Sequence, residues 1–100
     1  MKIAVYGNKF NKDAAPYVKE LFDLFYASNV DVFLNDKLAE YCSQFFSFSN
    51  TPSIRKKELL LDSDTDFLIS LGGDGTILDT ITTVRDTNVP ILGVNTGRLG

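Results

Sequence analysis

The sequence predicts a three-layer α/β domain with a mostly parallel, doubly wound sheet, and three observations support this. Short apolar runs alternate along the chain with stretches whose apolar residues recur at i, i+3, i+4 and i+7. Strands alternating with helices imply right-handed crossovers and therefore parallel neighbours. At 100 residues and 44% hydrophobic content, the chain can build one core and no separate second domain.

Lys2 to Tyr6 is apolar and partly β-branched, and Gly7 and Asn8 end it, as expected of a buried first strand. Asp13 is the expected cap of a first helix, with Pro16 in the first turn, where a missing amide hydrogen does little harm. Val18, Leu21, Phe22 and Phe25 supply its buried stripe, and Asn29 is its expected stop. Val30 to Leu34 reads as a second strand. Leu38, Tyr41, Cys42 and Phe45 then give a second helix on which Cys42 is packing rather than chemistry. Phe45, Phe46 and Phe48 run into a loop, Ser49 to Ser53, where the aromatics are expected to pack on a neighbour. Arg55, Lys56 and Lys57 form the only basic run and are expected to be solvated. Asp66 to Leu71 reads as a strand covered on both faces. From Thr76 to Asp86, Ile77, Leu78, Ile81 and Val84 lie on one side of a helix whose four Thr make it a poor one, so packing must hold it. Pro90 to Val94 is the last expected buried strand.

Composition excludes several kinds of chemistry. With no histidine there is no Ser-His-Asp or Cys-His triad and no His-ligated zinc. Cys42 is the only cysteine, so no internal disulfide forms, which fits a reducing compartment. A net charge of −3 argues against a nucleic-acid module held by phosphate contacts. No run approaches the ~20 apolar residues of a membrane span, and the opening apolar stretch is too short for a signal peptide. These features predict a cytoplasmic protein with no membrane or nucleic-acid partner.

Two glycine-rich segments fall at the carboxyl ends of expected strands, where open α/β sheets bind ligands. In Gly72-Gly73-Asp74-Gly75-Thr76 the glycines allow close approach of the backbone to a charged ligand, and the following helix start favours phosphate. Asp74, at the centre, can accept a proton from a hydroxyl or order a divalent ion. The simpler reading is a tight turn with Asp74 or Thr76 as helix cap. The segment has neither the Gly-Lys-Ser/Thr of a P-loop nor the Gly-x-Gly-x-x-Gly of a dinucleotide fold. Between Asp62 and Asp86 there are six acids and one base, Arg85, so anion binding there needs amides or a metal.

Gly72-Gly73-Asp74-Gly75-Thr76, with Ile77 and Leu78 after it, resembles the Gly-Gly-Asp-Gly-Thr signature of a kinase superfamily. NAD kinases, diacylglycerol and sphingosine kinases, and 6-phosphofructokinases share that signature. Gly93-Val94-Asn95-Thr96-Gly97-Arg98-Leu99-Gly100 is similar to the Gly-x-Asn-x-Gly-x-Leu-Gly segment of NAD kinases, whereas the other classes have Ile-Pro-type segments there. The opening strand, ending in Gly7-Asn8-Lys9, agrees with that family.

The resemblance implies transfer of the ATP γ-phosphoryl group to the adenosine ribose 2′-hydroxyl of NAD, with Mg²⁺ or another divalent ion as cofactor. It makes Asp74 the general base, with Asp74, Gly75, Leu78 and Asn95 at the substrate. In this reading Gly75 contacts the dinucleotide, Leu78 forms an apolar wall near the adenine, and Asn95 orders the second loop. Gly72, Gly73 and Thr76 shape the phosphate loop. No residue is assigned as a metal ligand. Asp79 departs from the pattern, since several family members have a basic or small residue there. The family pattern continues with an Asn-Glu or Asn-Asp pair and a β-rich C-terminal domain, neither of which is in these 100 residues. Residues 1–100 are therefore expected to be the N-terminal domain of a two-domain enzyme, inactive alone, with the complete enzyme a homodimer or homotetramer. The alternatives are a diacylglycerol-type lipid kinase, or a non-catalytic receiver or partner-binding module docking through Arg55 to Lys57.

Overall fold

Ile3 to Tyr6 carries apolar or aromatic side chains at successive positions, and all four residues are buried, which places this strand in the middle of a sheet covered on both sides. A computed structural model of the chain describes residues 1–50, 52–84 and 87–96. Its elements are β1 (Lys2–Gly7), α1 (Ala15–Ala27), β2 (Asp31–Asn35), α2 (Asp36–Cys42), β3 (Ser53–Arg55), β4 (Phe67–Gly72), α3 (Asp74–Val84) and β5 (Ile91–Asn95). The strands form one parallel sheet in the order β3-β2-β1-β4-β5. The chain winds outward from β1 in one direction and from β4 in the other, so the switch point lies between them, with Gly7 paired to Leu71. The doubly wound α/β fold expected from the sequence is the fold observed.

Alternation along β1 divides the core. Ile3 and Val5 join Ile69 and Leu71 beneath α1 and α2, which contribute Val18, Phe22, Leu38 and Cys42. Ala4 and Tyr6 face the other way, with Leu68 and Leu60. Cys42 is fully buried, and burial pushes its thiol up to about 12, so it is packing, as expected. Phe48 meets Phe22 edge to face at 5.1 Å, and Phe45 lies 5.0 Å from Tyr41, so the aromatic run does pack on its neighbours.

Several local expectations are corrected. The cap before the first helix is Asn11, whose side chain accepts from the Asp13 amide and opens a short 3-10 turn, Lys12–Ala14, ahead of α1. Pro16 does sit in the first turn of α1, and the chain leaves that helix through Asn29 at a φ of 57°. The second helix stops at Cys42, before Phe45.

The basic run is not simply solvated. Ser53–Arg55 is a strand, and the Arg55 guanidinium stacks 4.0 Å over Phe33 and pairs with Asp62 at 3.1 Å. No α-helix joins β3 to β4, only a 3-10 turn, Lys57–Leu59. A loop containing the buried Leu60 covers that part of the sheet instead. The last strand, β5, pairs with β4 alone among the described residues and is half bare, with Leu92 59% exposed.

Asp62 ties this corner together. Lys2, at 2.9 Å, the Asp64 amide and Arg55 hold its carboxyl well below the ordinary value of 3.8. A lowered folded-state pKa stabilises above the unfolded value, and that stability drains as pH falls below it. Acid unfolding followed by circular dichroism should therefore start at lower pH in Asp62→Asn, relative to its own neutral-pH stability, than in the wild type. An unchanged acid profile would remove Asp62 from this role.

Candidate active site

At the end of β4 the backbone reaches Gly72 with a φ of +150°, a conformation that side chains oppose. A Cβ there would also stand 2.7 Å from Thr76 Oγ1 and 3.2 Å from the Lys9 carbonyl oxygen, so glycine is required twice over. Gly73 and Gly75 differ. Apart from chain neighbours and the backbone of the same helix, no described atom lies within 4 Å of where a Cβ on either would stand, and neither has a positive φ. Among the described residues packing does not require these two glycines, and the space beside each is open.

Asp74 is the first residue of α3 rather than part of a preceding loop. It is exposed, in the turn where helix amides lack intrahelical acceptors and the dipole is positive. Parallel pairing of β4 with β5 places Asn95 beside Gly72, and the Thr96 amide donates to the Gly72 carbonyl at 2.8 Å. From this position Asn95 Nδ2 donates to Asp74 Oδ1 at 2.7 Å. The two glycine-rich segments therefore meet through these side chains. Gly97, Arg98, Leu99 and Gly100, the rest of the second segment, lie outside the described residues.

Beneath the loop, α3 packs differently from its apolar pattern. Thr80 is fully buried, and its hydroxyl donates to the Thr76 carbonyl at 2.7 Å and bonds to Ser70 Oγ at 2.9 Å. Ser70 is buried in the middle of β4 and needs a polar partner, so the helix presents Thr80 to it. Gly93 leaves room for Ile77, whose Cδ1 would lie 3.1 Å from a Cβ there. Leu78 and Ile81 consequently stay at the surface, 66% and 49% exposed. Leu78 stands one turn beyond Asp74 with its apolar side chain uncovered.

Composition and spacing point to none of the residues that brace this site. Tyr6 donates its phenol to Asp79, and Lys57 pairs with the same carboxylate at 3.2 Å, 5.3 Å from the Tyr6 ring centre. Burial and the bond to Asp79 raise the Tyr6 phenol, while the bonds from Tyr6 and Lys57 lower the Asp79 carboxyl. This clamp ties α3 to β1 and to the β3–β4 loop. The departure at Asp79 thus has a structural use. On the other side, Asn35 bonds both backbone groups of Gly7. An Asn closing an apolar run reads in sequence as a simple turn, so it gave no signal.

Among the described residues no group of three or more His, Cys, Asp or Glu could hold a metal, and no helix is long and apolar enough to cross a membrane. The profile of the ATP-NAD kinase N-terminal domain matches residues 3–100. The chain belongs to the NAD kinase family. Among its relatives, the NAD kinase of Flavobacterium psychrophilum is 39% identical over all 100 residues and that of Flavobacterium johnsoniae 35%. The chain covers 34% of each relative's length, so it spans about a third of the curated relatives it matches. Yeast NADH kinase, solved in complex with NADH, superposes on the whole chain with a TM-score of 0.71 and 26% identity, the chain covering 33% of it. The NAD kinase resemblance read from the two glycine-rich segments is thus the family found.

Proposed function

We propose that this chain is the N-terminal α/β domain of an NAD kinase whose complete form adds a β-rich C-terminal domain. The reaction is transfer of the ATP γ-phosphoryl group to the 2′-hydroxyl of the adenosine ribose of NAD. The hydroxyl oxygen attacks the γ-phosphorus, the bond to the β-phosphate oxygen breaks, ADP leaves, and Asp74 takes the hydroxyl proton. The observation that carries this reading is the pair of glycines flanking Asp74, which packing does not explain and which leave open space beside an exposed carboxylate. A nucleotide backbone can approach there without meeting a side chain.

Each named residue has a role in this reading. Asp74 is the base. Asn95 orients it through the 2.7 Å bond to Asp74 Oδ1. Gly75 adjoins the dinucleotide, and Leu78 gives an apolar surface to the adenine. Gly72, Gly73 and Thr76 shape the turn.

A divalent cation such as Mg²⁺ keeps several waters and binds through one or two carboxylates plus substrate phosphates. Asp74 serves as the base, and no group of three or more His, Cys, Asp or Glu among the described residues could hold a metal, so such an ion would be carried in on the triphosphate and held by its oxygens and by water. Such an ion neutralises charge on the phosphoryl oxygens. We assign the complete enzyme to the cytoplasm as a homodimer or homotetramer, with no membrane or nucleic-acid partner.

The test is to supply the full-length protein with ATP and NAD and to detect NADP with an NADP-specific dehydrogenase, with diacylglycerol as a parallel acceptor. NADP formation is expected. Phosphorylation of the lipid alone would reassign the protein to the lipid kinases.

A further inference from the structure

The loop leaving β1 is held at both ends by side chains from other elements. At its start, Asn35 Oδ1 accepts from the Gly7 amide at 3.0 Å, and Asn35 Nδ2 donates to the Gly7 carbonyl at 2.6 Å, all of it buried. At its end, the Tyr41 hydroxyl donates to the Phe10 carbonyl at 2.8 Å, and the buried Phe10 ring meets Tyr41 edge to face at 4.8 Å. Between these anchors Asn8 and Lys9 stand exposed. Holding a two-residue tip this firmly is what a preorganised binding element needs, because its ordering entropy is lost on folding rather than on binding.

The tip also lies in the right place. The Lys9 carbonyl oxygen is among the atoms that a Cβ on Gly72 would approach, at 3.2 Å, so the tip adjoins the glycine loop at the switch point between β1 and β4. Asn8 and Lys9 line a cavity of about 160 Å³ with Lys37, Tyr41, Gln44 and one carboxylate, Glu40. Lys9 and Lys37, like Lys12 and Lys56, are not ion-paired to another described residue, whereas Lys2, Lys19, Arg55 and Lys57 are. The Asp62 to Asp86 stretch, with six acids and one base, has almost no cation of its own to offer a triphosphate.

We propose that Lys9, presented on the anchored Asn8–Lys9 tip with Lys37 across the same cavity, grips the phosphate chain of the phosphoryl donor. The inference rests on the kinase reading and divides the crevice between the two substrates, with the donor phosphates on the β1 side and the acceptor ribose at Asp74. A nucleoside triphosphate and an inorganic polyphosphate share the chemistry that Lys9 would recognise.

The test uses Lys9→Ala and Lys9→Arg in the full-length protein, with KM measured separately for donor and for NAD. Lys9 is exposed, so both variants should fold. Lys9→Ala is expected to raise the donor KM about tenfold, the effect of one charge-assisted hydrogen bond, and to leave the NAD KM unchanged. Lys9→Arg should restore most of the donor affinity. An unchanged donor KM, or a rise confined to NAD, would overturn the proposal while leaving the kinase reading intact. If the wild type makes no NADP, the kinase reading fails, and calorimetric titration with ATP and with tripolyphosphate decides the subsite by itself. Weaker binding of both ligands by Lys9→Ala upholds the phosphate grip. Weaker binding of ATP alone, or equal affinity for both, overturns it.

Discussion

Asp74→Asn in the full-length protein is expected to lower kcat for NADP formation by about 10²- to 10⁴-fold, the usual worth of a positioned general base. Stability should hardly change, because Asp74 is exposed at the start of α3. The substitution is well matched to the question. An Asn at this position still offers Oδ1 to the Asn95 amide, so the 2.7 Å contact can persist while the proton acceptor is gone. Steady-state kinetics with both substrates saturating separates this loss from any change in KM. Turnover within a few-fold of wild type would mean that Asp74 does not take the proton and that the carboxylate only caps its helix.

The second large effect concerns Gly75, and two properties should move in opposite directions. Room for a Cβ exists at this helical position, so Gly75→Ala should stabilise the protein by about 0.5–1 kcal/mol in urea denaturation, chiefly by restricting the unfolded chain. If the dinucleotide approaches the backbone there, the added methyl group stands in its path, and kcat/KM for NAD should fall by at least about tenfold, roughly 1.4 kcal/mol of transition-state binding. A glycine required by the fold would behave the other way. Gly72→Ala, with its φ of +150° and a 2.7 Å clash, is the internal control and should lose stability. Full activity in Gly75→Ala would show that the space beside Gly75 is not where the substrate lies.

The parts of the fold that could be read in advance are those where one physical signal dominates. β1 and β4 are buried on both faces and therefore appear as apolar runs, broken in β4 only by Ser70, and α1 has a clean apolar stripe. β3 escaped because three residues, Ser-Ile-Arg, give no period, and its Arg55 is held by the Phe33 ring and Asp62, neither of them near it in sequence. In α3 the apolar residues suggested one face, but the buried hydroxyl of Ser70 on the neighbouring strand claimed Thr80 and turned Leu78 and Ile81 outward. The position of β5 beside β4, last in the strand order of the described residues, is something no local pattern encodes.

Something similar holds at the site. The glycines locate the turn, since their meaning is local. The partnership of Asp74 with Asn95 depends on a strand register that pairs Gly72 with Asn95, and the anchoring of Gly7 by Asn35 depends on contact between neighbouring strands. The residues carrying these contacts look like ordinary turn formers until the sheet is assembled.

The bond between Asn95 and Asp74 also makes the outermost strand a timing element. Among the described strands β5 pairs with β4 alone, so opening of that one ladder would break the Asn95 to Asp74 bond while the interior stayed folded. If Asp74 is the base, activity of the full-length protein is expected to vanish at lower denaturant concentrations than bulk helicity, with amide exchange along Ile91–Asn95 following the loss.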